Sequence, residues 1–329
     1  MMHAPRRGLV AVTGATGFIG GRVVRRLRRD GWRLRVLIRR RPQAAADPFA
    51  DDASVEAVHG PLDDGPSLRR LVEGAAAVVH IAGLVRARSR AEFFGVNADG
   101  VARLVEAVAA QPVPAHVVLV SSLAAREPGL SAYAASKRAG EAALTGGGPD
   151  GATVVPWTIL RPPAVYGPGD RQTLTFFRLA RLGLAPVPAS AAARVSLIHA
   201  DDLAAAVATV LDESGAARGL IAEPDDGQPG GYSWPALVAA VAEQLGRSVR
   251  PLRVPRTLLY AYSWLSSAPR LLVPGHRPAL TPDKVRELYH HDWVCDSASM
   301  TAATTWRPRT PIGPGFAGTI AWYRRHGWL

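Results

Sequence analysis

The sequence predicts an α/β protein built on a doubly wound parallel sheet, a Rossmann fold with a smaller C-terminal lobe. Up to Leu160, short apolar runs alternate with segments of helical periodicity, which is typical of a parallel sheet covered by helices. A glycine-rich turn at Gly14–Gly20 directly follows the first apolar run and opens the first helical segment. Apolar residues make up 48% of the chain, which is enough for a sizeable core.

The predicted elements of this first region alternate strictly. We predict strands at Leu9–Thr13, Leu34–Ile38, Val55–Val58, Ala77–Ile81, Val117–Ser121 and Val154–Leu160. We predict helices at Gly20–Arg29, Ser67–Glu73, Phe94–Ala110 and Tyr133–Leu144. Because right-handed crossovers place the loop after every parallel strand at one edge of the sheet, we expect these loops to form a single crevice.

Beyond Arg161 the alternation fades and proline-rich connections interrupt it. We therefore predict a dinucleotide-binding domain over residues 1–165 and a substrate lobe over residues 166–329, interleaved with the main sheet through one or two returning strands. Helices of this second part are predicted at Leu174–Leu182, Asp202–Asp212, Trp234–Leu245, Pro282–Tyr289 and Gly315–His326.

The net charge of +12 comes almost entirely from arginine, since Lys137 and Lys284 are the only two lysines among 39 basic residues. Together with abundant Ala, Gly and Pro, this bias indicates GC-rich codon usage rather than selection for a basic surface. No basic stripe is interleaved with aromatic residues, so we expect no nucleic-acid partner. The positive field still favours anionic cofactors and anionic membrane surfaces.

Cysteine usage and the N-terminus bear on the compartment. Cys295 is the only cysteine, which excludes an intramolecular disulfide and favours a reduced structural thiol. No apolar run precedes the first strand, so we predict no signal peptide and a cytoplasmic location. The triplet His290–Asp292 contains metal-binding residue types, but adjacent residues point apart, so a solvated turn is favoured and no metal site is predicted.

The uncharged run Thr257–Pro269 lies between Arg256 and Arg270. Thirteen residues are too few to span a bilayer, which requires about 20 in a helix. The favoured interpretation is a core helix of the second lobe. An interfacial helix that makes peripheral contact with a membrane is one alternative. Contact with the substrate is another, and the leucines and aromatic residues of this run would then favour an apolar carbonyl or alcohol.

Three glycines in the first turn are spaced for binding phosphate. Gly14 permits the tight turn, Gly17 lets a pyrophosphate approach the backbone, and Gly20 allows close packing of helix on strand. The helix that follows presents unpaired N–H groups and the positive end of its dipole to the phosphates. This arrangement of strand, turn and helix predicts a dinucleotide site.

The GxxGxxG spacing, in the string TGATGFIG, resembles the extended branch of the short-chain dehydrogenase/reductase superfamily, the NAD-dependent epimerase/dehydratase family. The resemblance extends to about Leu211. It implies a nicotinamide cofactor bound by the turn residues and by later segments that match in the family's order. The implied cofactor-binding residues are Gly14, Thr16, Gly17, Phe18, Ile19, Gly20, Leu62, Asp63, Ile81, Ala82, Gly83, Asn97, Tyr133, Lys137 and Pro163.

The chain departs from the family at Pro61, where an adenine-binding Asp is usual, so that contact is either lost or taken over by a neighbour such as Asp63. Just after the second strand, an acidic residue suits a free ribose hydroxyl, whereas arginine suits a 2′-phosphate. Arg39, Arg40 and Arg41 follow the strand here. We therefore predict NADP(H) in preference to NAD(H), with Arg39 as a cofactor-binding residue.

The catalytic candidates are Ser122, Tyr133 and Lys137. Tyr133 and Lys137 are four residues apart and therefore share one helical face. A nearby ammonium is expected to lower the tyrosine pKa towards the working range, since free tyrosine titrates near pH ~10. Ser121 and Ser122 end the fifth strand, where a hydroxyl could bind the substrate oxygen; the family resemblance implies that Ser122 does so and that Ser121 has a packing or capping role.

Three functions are considered. The favoured one is an NAD(P)-dependent oxidoreductase that moves hydride between nicotinamide and a carbonyl or alcohol on a small, partly apolar, non-nucleotide substrate. A sugar-nucleotide epimerase or dehydratase is the alternative, but Val195 stands where that group carries a diphosphate-binding Arg, with Arg194 one residue away. A catalytically silent Rossmann subunit, structural or RNA-binding, is the alternative of another class.

A homodimer through the helices Phe94–Ala110 and Tyr133–Leu144 would be typical of the family.

Overall fold

The computed structural model describes residues 7–39, 49, 52, 54–146, 155–190, 192–267 and 280–329. The strands are β1 (Leu9–Thr13), β2 (Arg33–Ile38), β3 (Val55–His59), β4 (Ala77–His80), β5 (His116–Val120), β6 (Trp157–Leu160), β7 (Ala164–Tyr166), β8 (Leu184–Pro188), β9 (Arg194–Val195), β10 (Leu197–His199), β11 (Ile221–Ala222), β12 (Tyr232–Ser233), β13 (Arg250–Val254) and β14 (Asp292–Trp293). The helices are α1 (Phe18–Arg29), α2 (Gly65–Val72), α3 (Arg90–Asn97), α4 (Asp99–Ala109), α5 (Ala132–Thr145), α6 (Leu174–Arg181), α7 (Ala200–Asp212), α8 (Ser214–Ala217), α9 (Trp234–Leu245), α10 (Arg256–Ser267), α11 (Pro282–Leu288), α12 (Ala298–Ala303) and α13 (Ile312–Arg325).

The main sheet has seven strands in the order β11-β6-β5-β4-β1-β2-β3. Every neighbouring pair in it is parallel. The order reverses between β1 and β4, and ligands of doubly wound sheets bind at the carboxyl ends of the strands beside such a reversal. The Rossmann fold predicted from the sequence is confirmed.

Alternating side chains of the strands feed two hydrophobic layers, because successive residues of a strand point to opposite faces. On one face Val10 and Val12 pack with α1 and α7, whose buried positions include Leu27 and Val207. On the other face Ala11 belongs to the layer formed with α2, α4 and α5. The sheet is therefore covered on both faces, as a parallel sheet requires.

A third hydrophobic cluster lies in the C-terminal part of the chain. Phe177 of α6 meets Phe316 and Tyr323 of α13 edge to face, and Leu237 of α9 joins the same cluster. Residues after 165 also serve the main sheet, since β11 extends its edge and α7 packs on α1. The division at residues 165 and 166 stays a prediction.

Helix α10 differs from the core helix favoured by its sequence. Leu258, Tyr262, Trp264 and Leu265 are all exposed, whereas Ser263 is buried. The apolar side chains lie on the outer face because the helix turns its small serine towards the protein. Leu271 and Leu272, which extend the run in sequence, lie outside the described residues. Within the described ranges, no helix has the length and apolar character needed to cross a membrane.

Candidate active site

The glycine-rich turn brings three parts of the crevice into very close contact. Gly14 has a φ of +74°, and a Cβ there would stand 2.6 Å from the backbone nitrogen of Ala82. A Cβ on Gly20 would stand 2.0 Å from the carbonyl oxygen of Gly14. Only glycine fits at these two positions, so β1, α1 and the loop after β4 are held together in the arrangement predicted from the sequence.

The N-terminus of α1 is open to an anion. Its N-cap is Gly17, which provides no capping side chain, so the N–H groups of the first turn are not satisfied by a side chain there. Thr16 and Gly17 are exposed, and Phe18 and Ile19 are half-buried. These features fit a dinucleotide pyrophosphate, which needs backbone donors and close approach.

Thr13 and His80 join the ends of β1 and β4 beneath this turn. The Thr13 hydroxyl lies 2.9 Å from Nδ1 of His80 and accepts from the N–H groups of Ile81 and Ala82. Burial lowers the pKa of His80 to about 3, and the ammonium of Lys137 contributes to that shift. His80 is therefore neutral at physiological pH and serves to order the loop Ile81–Gly83.

Asn97 ends α3, where the sequence predicted one continuous helix through Ala110. Its amide accepts from the N–H of Leu84 at 2.8 Å and donates to the carbonyl of Leu84 and to the Ser136 hydroxyl. A Cβ on Gly140 would come within 2.2 Å of the Asn97 carbonyl, so α5 packs directly against this break. Asn97 thus fixes the loop after β4 to α5, and the predicted contact with a cofactor stays a prediction.

The adenosine end of the crevice is the more open one. Arg39 follows β2 and is exposed, and Asp63 is exposed in the loop after β3. Leu62 lies half-buried beside Gly100, and Asp64 caps α2 by accepting from the N–H of Ser67. Arg40 and Arg41, which were part of the predicted 2′-phosphate site, lie outside the described residues.

Ser122 and Tyr133 form the centre of the site. Ser122 stands just beyond β5 and caps the short helix Leu123–Arg126, while Tyr133 lies in the first turn of α5. The Ser122 hydroxyl lies close enough to the Tyr133 phenol to lower the pKa of that phenol in part. Beside them the N–H of Leu123 donates to the carbonyl of Pro162, which brings Pro163 to the same edge of the sheet. The chain between Ser122 and Tyr133 therefore turns back so that the two hydroxyls lie close together.

Lys137 lies one turn further along α5 and is buried. Its ammonium donates to the carbonyl of Val120 at 3.0 Å. Burial lowers the pKa of Lys137 to about 8, and the Glu141 carboxylate opposes part of this shift. One of its three N–H donors is therefore engaged at the end of β5, next to the catalytic candidates.

The expected lowering of the tyrosine pKa is wrong for this arrangement. The pKa of Tyr133 is raised to about 12, mainly by burial, with a further contribution from the Glu287 carboxylate, while the hydrogen bond with Ser122 lowers it in part. The four-residue spacing correctly predicted that Lys137 lies on the same face of α5 as Tyr133, but spacing does not predict how deeply the phenol is buried. Tyr133 is therefore a protonated phenol at neutral pH.

Sequence reasoning missed the buried carboxylate of Glu141. It accepts from Ser121 at 2.6 Å and makes a two-pronged ion pair with Arg161 at 2.9 and 2.6 Å. The network joins α5 to the ends of β5 and β6, and it gives Ser121 a definite packing role. Its only sequence signal was the position of Glu141 on the same helical face as Tyr133 and Lys137.

Sequence reasoning also missed the contact between α11 and the start of α5. Glu287 accepts from the hydroxyl of Ser131, the N-cap of α5. Asp283 accepts from the N–H of Ala132 at 2.9 Å, and Arg286 donates to the carbonyl of Leu130 at 2.8 Å. A helix from the C-terminal part of the chain therefore fixes the turn that carries Tyr133.

His290 and His291 are next to each other in the chain, where the sequence predicts a solvated turn. The rings of His290 and His291 lie beside each other and near Trp293, at the start of β14. Across the residues that the structure describes, no three metal-binding side chains come together.

These features are those of a known family. A model of the NAD dependent epimerase/dehydratase family matches residues 10–220, and the chain belongs to that family. A ceramide reductase of Caulobacter vibrioides is 41% identical over 336 aligned positions, which cover 100% of this chain and 98% of that protein. The resemblance stated from the sequence is confirmed, and the chain is an enzyme of a family that uses a nicotinamide cofactor.

Solved structures show the same fold. MoeE5, in complex with UDP-glucuronic acid and NAD, has a TM-score of 0.70 at 22% identity, covering 97% of this chain and 100% of its own. WbmG of Bordetella bronchiseptica, in complex with NAD, has a TM-score of 0.72 at 18% identity, covering 100% of this chain and 98% of its own.

Proposed function

We propose that this protein is a reductase that transfers hydride from NADPH to the ketone of a long-chain amide lipid, the keto form of a ceramide. The observation that carries the proposal is the pairing of the Ser122 hydroxyl with the nearby Tyr133 phenol, whose pKa is raised to about 12, mainly by burial. A protonated phenol beside a second hydroxyl is suited to a carbonyl oxygen, which needs a hydrogen-bond donor and then a proton.

Each side chain has a separate role in this reaction. The nicotinamide, when bound, supplies the hydride to the carbonyl carbon. Ser122 orients the carbonyl oxygen, and Tyr133 gives its phenolic proton to that oxygen as the alcohol forms. Lys137 uses one N–H on Val120 and has two left to hold ribose hydroxyls. Its positive charge favours the tyrosinate that proton transfer leaves behind.

The protonation state of Tyr133 suits the reduction of a ketone. With a pKa of about 12, the phenol is almost fully protonated at neutral pH and is ready to act as an acid. Oxidation of an alcohol would instead begin from the tyrosinate, which burial disfavours. Solvent protons must then restore the phenol after each turnover.

The substrate class rests on two arguments. The relative named ceramide reductase matches over the whole chain at 41% identity, which supports a lipid substrate of that kind. Reduction of the ketone in the keto form of a ceramide gives a secondary alcohol, which is a product that hydride transfer to a carbonyl carbon can form. The diphosphate-binding arginine expected of a sugar-nucleotide enzyme is replaced by Val195, which argues against that alternative.

Purified protein with NADPH and a keto-ceramide tests the proposal. We expect NADPH oxidation in step with formation of the alcohol. UDP-glucose and UDP-glucuronic acid are the comparison substrates, because turnover of either without turnover of the lipid would support an epimerase instead. Binding to RNA that weakens with salt, with no turnover of any substrate, would support the silent alternative.

The preference for NADPH is proposed on the exposed position of Arg39 at the carboxyl end of β2. Arg39→Asp should lower the kcat/KM for NADPH relative to that for NADH by about 10- to 100-fold. The reason is that the substitution replaces attraction of the 2′-phosphate with repulsion. Arg33→Asp is the matched control, since Arg33 is exposed at the opposite end of the same strand. Equal effects of the two substitutions would remove Arg39 from the site.

The proposal also includes the oligomeric state and the location of the protein. We propose a homodimer through α3, α4 and α5, and a cytoplasmic location. Sedimentation velocity of the purified chain tests the dimer, and fractionation of cells tests the location.

A further inference from the structure

Exposed apolar side chains are concentrated at one place on the molecule. Among the described residues, ten large apolar side chains are exposed, and five of them lie between residues 252 and 265. We name these five the α10 surface: Leu252 of β13 and Leu258, Tyr262, Trp264 and Leu265 of α10, with exposed fractions of 52, 59, 51, 68 and 74%. Such clustering marks a surface that another body covers.

The helical spacing of α10 places exposed apolar side chains on one side of the helix. Leu258, Tyr262 and Leu265 are spaced at i, i+4 and i+7, so they line one side of the helix. The opposite side is fixed to the protein, where Ser263 is fully buried and Ser266 donates to the carbonyl of Leu280 at 2.9 Å. The helix also packs against α11. Its apolar side chains therefore face outward from a supported position.

The charged residues on the segment that carries this face are all positive. Arg250, Arg253 and Arg256 are exposed, and no Asp or Glu occurs between residues 246 and 267. Arg256 lies over the ring of Tyr260, 5.4 Å from its centroid. The carboxylates of the neighbouring α11 are already engaged, since Asp283 pairs with Arg286 and Glu287 with Lys284.

This charge pattern discriminates between the possible occupants. In a twofold contact between two copies, the α10 surface would face itself and bring arginines against arginines, which is unfavourable. A membrane with anionic headgroups offers opposite charge around an apolar interior. Leucines flanked by tryptophan, tyrosine and arginine are the composition of helices that lie in that interface.

We propose that the α10 surface docks on an anionic lipid bilayer, with Leu258, Trp264 and Leu265 inserted among the headgroups and the arginines of β13 and α10 against the phosphates. The helix lies in the plane of the membrane and does not cross it. Because α10 packs on α11, and α11 holds the start of α5, docking brings the bilayer to the part of the molecule next to Tyr133. The inference does not require the reductase assignment, since its test uses no substrate.

The test is flotation of the full-length protein with vesicles. Vesicles of phosphatidylcholine alone are compared with vesicles that also hold about 30 mol% phosphatidylglycerol, an anionic lipid. We expect binding to the anionic vesicles and at least about tenfold weaker partitioning for the variant L258Q/L265Q, which loses two inserted leucines. R253Q/R256Q should weaken binding to anionic vesicles and leave the small residual binding to neutral vesicles unchanged.

Matched controls separate the α10 surface from general stickiness. V113Q removes an apolar side chain that is 81% exposed elsewhere, and R324Q/R325Q removes two exposed arginines of α13; neither should change the partitioning. Lipids with brominated chains should quench tryptophan fluorescence in the wild type and not in W264F. Thermal unfolding and NADPH binding of each variant establish that it is folded.

Three outcomes overturn the proposal. The wild type stays in the aqueous fraction with both kinds of vesicle, or L258Q/L265Q floats as well as the wild type. In the third, sedimentation shows that L258Q/L265Q dissociates a dimer, which would make a second copy the occupant. If the wild-type protein binds vesicles but does not reduce a keto-ceramide, the proposed function is contradicted and this inference is not.

Discussion

Helix α5 is held in different ways by the two parts of the chain. Its inner side is fixed within the Rossmann layer by a buried ion pair, in which Glu141 meets Arg161, and by the bond from Lys137 to Val120. Its N-terminus is fixed from outside by α11, through Asp283, whose side chain is partly exposed, and through the buried Glu287. Loss of Glu141 leaves the buried Arg161 without its main partner, whereas the α11 carboxylates bind a hydroxyl, a backbone N–H group and the exposed Lys284. We infer that the inner support maintains the fold and the outer support tunes Tyr133.

The largest effect is expected where the two supports meet. Tyr133→Phe removes the proton donor and should lower kcat by about 10²–10⁴-fold, the usual contribution of a positioned acid. The thermal unfolding temperature should change little, because the ring is retained. Retained activity with a correctly folded Phe variant would eliminate the catalytic role of Tyr133.

Loss of the inner support should lower the free energy of unfolding. Glu141→Ala leaves Arg161 as a buried charge without its main partner and should cost about 3–5 kcal/mol in the free energy of unfolding. Urea denaturation measures it. Glu243→Ala is the control, because Glu243 is exposed on α9 and its loss should cost no more than about 0.5 kcal/mol. Equal costs would show that the Glu141 network does not support the fold.

The pH dependence separates Lys137 from Tyr133. Because the pKa of Lys137 is lowered to about 8, its ammonium is lost as the pH rises through that value, while Tyr133 keeps its proton until about 12. Catalysis needs both protons, so kcat should fall by about tenfold for each pH unit above the transition. Lys137→Arg remains charged, so its lower activity should lack this fall. A wild-type profile that is flat to pH 10 would contradict the role of the ammonium.

The outer support should produce the smallest effect. Glu287→Gln keeps an acceptor for Ser131 but removes the charge that raises the pKa of Tyr133, so kcat should change by no more than about fivefold. Glu287→Ala also removes the acceptor and should lower kcat further, with the free energy of unfolding reduced by about 1 kcal/mol through the weakened cap. If neither variant changes kcat, α11 does not tune the site.

The sequence predicted most where the determinants are local. The turn Gly14–Gly20 requires only neighbouring residues to form, and β1 and α9 have the predicted boundaries. The placement of Tyr133 and Lys137 on one face follows from helical geometry alone. Ser122 required the family resemblance, and the structure places it close to Tyr133, which the sequence alone did not predict.

The sequence could not predict what depends on distant packing. Ser131 and Glu287 are 156 positions apart, and no local pattern pairs them. The pKa of Tyr133 was expected to fall, but burial, which depends on the whole fold, raises it. The exposure of α10 also depends on distant packing, because a pattern of apolar residues does not show whether the protein core or another molecule covers them.

The central claim is that Tyr133 and a nicotinamide reduce the ketone of a lipid. The most direct measurement is mass spectrometry of the product formed from a keto-ceramide and NADPH deuterated at C4 of the nicotinamide, with each C4 diastereomer tried. The account predicts that one diastereomer transfers one deuterium to the carbinol carbon, and that Tyr133→Phe nearly abolishes the transfer. A product without deuterium from either diastereomer, or equal transfer by the Phe variant, would contradict it.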